Sequence, residues 1–213
     1  MSKEAVCLED VVKFSGGSRR VINRVSFCVA EGESVCIHAG DGKAVLMRLV
    51  AGMERPDSGE IFVKGKAVHR MSRNEAACFR GTVLGVSLHS DGFFPGFTMW
   101  ENVALPLALQ GVSFAGRKRA AAEQMGKLGL RHISGAYPNQ ISAYESKMAS
   151  LARALITGSK ILLFDDITGG LSERDAGRIV NTVGELCCRD MTVVFFTGGE
   201  SDPGFTDRQI VCK

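Results

Sequence analysis

Val35-Cys36-Ile37-His38-Ala39-Gly40-Asp41-Gly42-Lys43-Ala44-Val45-Leu46 is the stretch on which the reading of the fold turns. It reads as an apolar strand, a tight Gly-x-Gly-Lys turn, and an apolar helix running towards Gly52. That is the layout of a phosphate-cradling loop, in which backbone N–H groups and a helix N-terminus face an anion while a lysine reaches over it. The pattern G-x-x-x-x-G-K-[ST] is half met. Ile37 stands where the first Gly belongs, and Ala44 follows Lys43 in place of Ser or Thr.

Upstream of this stretch, Val6 to Phe14 and Val25 to Ala30 read as strands, with Gly16-Gly17 and Glu31-Gly32 as turns. Downstream, Pro56-Asp57-Ser58-Gly59 is a turn signal before a strand from Glu60 to Val63, and a polar connection runs through Arg80. Val83 to Leu88 reads as a buried strand that enters an apolar loop containing Phe93, Phe94 and Phe97. Thr98-x-x-Glu101 and Ser142-x-x-Glu145 are capping-box patterns, each opening a helix. The second of these carries Met148, Leu151, Ala152, Leu155 and Ile156 at helical spacing, and a more polar helix spans 114–130 between the two. Ile161-Leu162-Leu163-Phe164 is a central-strand run ending in Asp165-Asp166. A helix from Ser172 to Cys187, a strand from Thr192 to Phe196 and a run from Gln209 to Cys212 follow. Apolar strands alternating with helices predict a largely parallel α/β core, with antiparallel strands at the start and a helical segment over about 89–157.

Composition narrows the function classes. At 213 residues and 45% hydrophobic, the chain can build a buried core. A formal charge of +3 is too small to argue for nucleic acid, and Arg117-Lys118-Arg119 reads as a solvated helix face. The seven cysteines contain no C-x-x-C, and the apolar neighbours of Cys28 and Cys36 suggest buried thiols in a reducing compartment. MSKEAVCLED carries charges where the apolar core of a secretory signal would lie, and no run reaches the ~18 apolar residues of a membrane span, so the chain reads as soluble.

In order and spacing, these landmarks resemble the nucleotide-binding subunit of an ABC transporter. The resemblance rests on Gly40-Asp41-Gly42-Lys43, Glu101 to Leu107, Tyr137-Pro138-Asn139-Gln140-Ile141-Ser142, Ala152-Arg153-Ala154-Leu155, and Ile161 to Asp166 with Thr168-Gly169. Phe94-Pro95-Gly96-Phe97-Thr98 with Glu101 to Leu107 is most similar to the lipoprotein-releasing and macrolide-efflux branch. The resemblance implies an α/β P-loop NTPase of ABC type, with a mixed sheet core, an antiparallel N-terminal β-subdomain and an inserted helical subdomain, forming one nucleotide-binding domain over 1–213. It also implies ATP and Mg²⁺ as cofactors, a transmembrane permease as partner, and a homo- or heterodimer with another nucleotide-binding subunit. The implied location is cytoplasmic, peripheral at the inner face of the cell membrane.

Carried over position by position, the resemblance assigns roles and exposes departures. Gly40, Asp41, Gly42, Lys43, Ala44 and Val45 fall around the phosphates. Phe14 falls where an aromatic stacks on adenine, although a strand-end core residue accounts for it equally well. Asp165 matches the carboxylate that holds Mg²⁺, while Ala44 lacks the hydroxyl ligand, which leaves that position to water. His89 replaces a Gln, Asp166 a Glu that polarises the attacking water, Gly198 a His at the γ-phosphate, and Ser172 an interfacial Asp. The signature segment reads Ile141-Ser142-Ala143-Tyr144-Glu145 against L-S-G-G-[QE]. There Ser142 serves either a partner's γ-phosphate or its own helix as N-cap. A lost acid/base group costs roughly 10²–10⁴ in rate and an electrostatic donor about 10²–10³. The combined departures therefore predict weak or absent hydrolysis, with a nucleotide-free adaptor or a compensated working ATPase as the alternatives.

Overall fold

The computed structural model describes residues 3–88, 92–187, 191–199, 204 and 206–212. An antiparallel sheet is built first from β1 (Glu4–Ser15), β2 (Arg19–Ala30), β4 (Ser58–Val63) and β5 (Lys66–Ala67), in the order β2-β1-β4-β5. A second, parallel sheet is built from β3 (Ser34–His38), β6 (Leu84–Ser87), β7 (Ile161–Asp165), β8 (Thr192–Thr197) and β9 (Arg208–Val211). Its order is β6-β7-β8-β3-β9. The helices are α1 (Lys43–Val50), α2 (Arg73–Val83), α3 (Met99–Leu109), α4 (Phe114–Lys127), α5 (Ala143–Leu155) and α6 (Glu173–Cys187). The expected mixture of strand directions is thus divided between two sheets. Among the described residues no helix is long and apolar enough to cross a membrane.

Continuous apolar runs in β3, β7 and β8 are buried on both faces, as parallel central strands require. Because successive side chains point to opposite faces, each strand feeds two cores in alternation. Ile37, Ile161, Leu163, Val194 and Phe196 enter one core, shared with α1 and the antiparallel sheet. Cys36, Leu162, Phe164, Val193 and Phe195 enter the other, shared with α3, α4, α5 and α6. Phe164 and Phe195 stack with ring centroids 5.3 Å apart.

Three expectations need correction. The polar connection before Arg80 contains α2, capped by Ser72, whose hydroxyl accepts the Glu75 N–H while the Glu75 carboxylate accepts the Ser72 N–H. Ala76 and Phe79 are its buried residues, too few to show a helical period. β2 begins at Arg19 rather than Val25, because its first half is a polar, mostly exposed ribbon paired to the end of β1. Cys28 is not a free buried thiol: it is bonded to Cys7 across β1 and β2. Cys36 is buried, as expected.

Gly85 shows how closely β6 meets α5. A Cβ placed there would lie 2.3 Å from the Ala154 carbonyl oxygen and 2.6 Å from Leu162 Cδ2. Gly85→Ala should therefore destabilise by about 3 kcal/mol, the upper end for overpacking, because a helix backbone cannot yield as a side chain does. Gly81→Ala on α2, where a Cβ would meet open space, should instead gain about 0.5–1 kcal/mol. Urea denaturation of the two variants checks both signs.

Candidate functional site

The C-terminal ends of β3, β7 and β8 lie along one edge of the parallel sheet, where loops after such strands characteristically form ligand sites. After β3 the chain passes through Ala39 into a tight 3₁₀ turn, Gly40–Gly42, and then into α1. Ile37 is buried within β3, paired with Phe196 and Ile210. The strand thus continues through the position where a phosphate loop has its first glycine, and the β-branched residue avoids positive φ. Gly40 adopts φ +49°, a conformation that favours glycine. Gly42 is required for another reason, since a Cβ there would lie 2.7 Å from the Val21 carbonyl oxygen of β2. Asp41 is exposed and ion-paired with Arg19 of β2 at 2.9 Å.

Lys43 opens α1 and reaches the carboxylates at the end of β7. Its Nζ lies 3.3 Å from Asp165 Oδ1 and 3.2 Å from Asp166 Oδ2. The Asp165 side chain is 8% exposed and Oδ1 accepts no hydrogen bond, so the ammonium is its compensation among the described residues. Asp166 sits at φ +49°, its N–H donating to the Phe196 carbonyl at 3.2 Å. Its carboxylate crowds Gly169, whose Cβ would stand 2.6 Å from Oδ2. A cleft of about 670 Å³ opens beside these groups, with Lys43, Asp166, Thr168, Phe195 and Gly198 in its walls. Gly198 is exposed, and a Cβ there would meet ordinary contacts at 3.4 Å (Gly40 O) and 3.6 Å (Lys43 Cδ). Ala44 and Val45 are half-buried on the first turn of α1, Val45 against the core. His89 lies outside the described residues.

Phe14, at the end of β1, is 36% exposed, so it is not a core residue. The Arg20 guanidinium lies over its ring, 5.2 Å from the centroid. The Phe14 N–H donates to Asp57 at 2.7 Å, and this bond holds the Asp57 carboxyl below its ordinary range, with Lys13 adding to the effect. In a groove between β2 and the loop, burial pushes the Cys212 thiol up to about 11, which keeps it protonated.

Ser142 belongs to a different cleft, of about 470 Å³, together with Tyr144, Leu171, Ser172 and Arg178. Its hydroxyl accepts the Glu145 N–H at 3.3 Å and donates to the Glu145 carboxylate at 2.7 Å. The Ser142 N–H and hydroxyl, then His132, hold the Glu145 carboxyl below its ordinary value. The N-cap reading of Ser142 is therefore realised, and Ser172 likewise caps α6 by accepting the Asp175 N–H at 3.2 Å. The Tyr144 ring lies under the Arg178 guanidinium at 4.0 Å. Of the loop phenylalanines, Phe94 and Phe97 are 52% and 42% exposed, whereas Phe93 packs against the helical core. Asn102, fully buried, clamps that loop: its Oδ1 accepts the Phe94 N–H and its Nδ2 donates to the carbonyls of Phe94, Phe97 and Thr98.

The structure places Lys43, Asp165, Asp166 and Gly198 together, whereas Ser142 and Ser172 line a separate cleft, and some contacts have no signal in the sequence. His38 Nδ1 donates to the Gly199 carbonyl at 2.7 Å, tying β3 to the turn after β8. The stacking of Arg178 on Tyr144 was not foreseen, because the two lie on separate helices with no local signal linking them.

A protein-family model described as ABC transporter matches residues 22–169. The chain is 34% identical over 168 residues to the ABC transporter ATP-binding protein YtrE of Bacillus subtilis, covering 78% of this chain and 73% of that protein. It is 28% identical over 179 residues to the lipoprotein-releasing system ATP-binding protein LolD of Blochmanniella floridana, covering 82% and 76% respectively. Among solved structures, the dimeric post-hydrolysis state of the ATP-binding cassette MJ0796, bound to ADP and Pi, superposes with a TM-score of 0.89 at 26% identity. That match covers 98% of this chain and 94% of the other.

Replacing Lys43 with an apolar side chain of similar length leaves two facing carboxylates with no cation between them. Lys43→Met should cost about 2 kcal/mol, less than a fully buried pair because the lysine is partly exposed. Adding Asp165→Asn should recover part of that loss, which a double-mutant cycle in urea would read directly.

Proposed function

This chain belongs to the ABC transporter family of ATP-binding subunits, and on that footing we propose that it partners a transmembrane permease of the lipoprotein-release or macrolide-efflux kind. It binds MgATP weakly and hydrolyses it very slowly or not at all. The observation that carries the second part is the clasp of Lys43 between Asp165 and Asp166, beside a Gly198 that offers no side chain to the cleft. A phosphate entering along α1 has to draw the ammonium away from both carboxylates. Gly40, Asp41, Gly42, Lys43, Ala44 and Val45 surround that phosphate position, and Phe14 offers its ring to adenine once Arg20 moves aside.

The site fits Mg²⁺ in part. Asp165 supplies a buried carboxylate oxygen that accepts no hydrogen bond among the described residues, while Ala44 has no ligand atom. When bound, the ion would neutralise phosphate charge. Asp166 occupies the water-polarising position, but its carboxylate is engaged by Lys43 and backed by Gly169. In an ABC dimer, whether homo- or heteromeric, Ser142 faces the nucleotide of the other subunit. Here its hydroxyl caps α5 and the Tyr144–Arg178 stack stands beside it. Residues 1–213 act as one nucleotide-binding unit, the segment about 89–157 being its helical part. The exposed Phe94 and Phe97, held by Asn102, suit a docking contact with the permease. That contact would place the chain in the cytoplasm, at the inner face of the cell membrane.

One observation favours a second reading, a structural adaptor that binds no nucleotide. Positive φ accounts for Gly40 and contact with Val21 accounts for Gly42, so neither glycine requires a ligand. Calorimetric titration with MgATP separates the two: a saturable signal abolished by Lys43→Ala supports nucleotide binding, and its absence supports the adaptor. With permease present, turnover should fall far below the order of 10 per second typical of enzymes. Restoring Ser at Ala44, Gln at His89, Glu at Asp166 and His at Gly198 should raise it. Ordinary turnover in the unmodified chain, or no gain on restoration, would falsify the slow-hydrolysis reading and point to a compensated ATPase.

A further inference from the structure

The outer face of the antiparallel sheet carries a donor set that the nucleotide reading leaves unused. Cys7 on β1 and Cys28 on β2 are direct register partners, with Cα atoms 4.1 Å apart and their sulfurs bonded. Glu4 completes the set: the two sulfurs and a carboxylate oxygen of Glu4 all lie within 4.8 Å of one another. Cys7 points away from the core that takes its neighbours Val6 and Leu8, yet it is only 6% exposed, whereas Cys28 is half-buried and Glu4 is exposed. A groove of about 610 Å³ opens over Glu4 and Cys7, walled by Glu9, Phe62 and Lys64. Glu31 in the same groove is held by Lys64 at 2.7 Å, while Glu4 makes no ion pair among the described residues. Cys78 stands free at the surface, a combination suited to reducing surroundings, in which the pair at 7 and 28 would be two thiols.

We propose that the reduced form of this cluster binds one d¹⁰ cation of the zinc class through Cys7 Sγ, Cys28 Sγ and the Glu4 carboxylate. A water from the groove takes the fourth position. Two thiolates and a carboxylate are a borderline-soft set that suits such an ion and disfavours Mg²⁺ or Ca²⁺. The preceding step is an exchange with a small thiol of the glutathione class. Two such thiols reduce the Cys7–Cys28 bond, become joined to each other as a disulfide, and leave two protein thiols. Each thiol then releases one proton to solvent as its sulfur takes the cation. Bond and cation are mutually exclusive, so the sheet carries either a covalent link or a metal link at the same place.

The full chain, reduced with a phosphine and freed of reductant under argon, is titrated with Co²⁺ as the spectroscopic probe. The expected result is a thiolate-to-cobalt charge-transfer band and the visible bands of a tetrahedral ion, saturating at one cobalt per chain and bleached by Zn²⁺. Glu4→Gln, at an exposed position that should not disturb folding, weakens cobalt binding by no less than the roughly tenfold that losing even an outer hydrogen-bond partner of a ligand costs. Cys7→Ser with Cys28→Ser abolishes the bands; Cys28→Ser alone serves if the double variant does not fold by circular dichroism. The proposal is overturned by any of four results: a disulfide that resists the phosphine, no band in protein whose thiols titrate as reduced, bands that survive the cysteine variants, or an affinity indifferent to Glu4→Gln.

Discussion

The strict alternation of side chains along β3, β7 and β8 is the constraint on which the rest of the structure depends. With Ile37, Leu163 and Val194 committed to one core and Cys36, Leu162 and Val193 to the other, none of these strands can slip by one residue without exchanging both cores. That fixes where each strand stops. His38, Asp165 and Thr197 therefore end at the same edge, and the turns that follow bring Lys43, Asp166 and Gly198 to a common cleft. The site is a consequence of register before it is a matter of chemistry.

Charge decides what that edge is able to attract. One ammonium faces two carboxylates, so the described mouth of the cleft carries no excess positive charge to offer a phosphate. The oriented N–H groups at the start of α1 still favour an anion, but they work against the adjacent Asp165 and Asp166. On the proposed function, a divalent cation would reverse the balance by satisfying Asp165 and releasing Lys43, so that nucleotide affinity would follow the metal. Ala44 has no side-chain oxygen to offer such an ion.

What was legible in the sequence was local. Capping boxes at Thr98 and Ser142, the continuous run Ile161 to Phe164 and the Gly-x-Gly-Lys turn each announce their structure within a few residues, and each is found where it was read. α2 escaped because a helix that buries only Ala76 and Phe79 leaves no period to detect. The first half of β2 escaped because a solvated edge ribbon reads as a loop. The Cys7–Cys28 bond depends on a register interrupted by a bulge, where Asp10 at φ +48° bonds through its N–H to Ser26. No local pattern encodes such an offset. The His38–Gly199 bond is likewise a product of the parallel pairing of β3 with β8, not of any motif.

Three glycines at the mouth of the site look alike in the sequence and differ in kind. Gly40 is favoured by its left-handed backbone, although Asp166 adopts the same φ without being glycine, and Gly42 is demanded by the proximity of Val21. A chain that had abandoned nucleotide altogether would still favour both, so their presence is weak testimony for binding. Gly198 has neither excuse. Its φ is not positive, and an added Cβ would rest at ordinary contact distance from Gly40 and Lys43. Nothing in the described fold forbids a side chain there. On the proposed reading, which puts Gly198 at the γ-phosphate, its bareness would bear on chemistry alone, whereas Asp166, wedged between Lys43 and Gly169, answers to the fold as well.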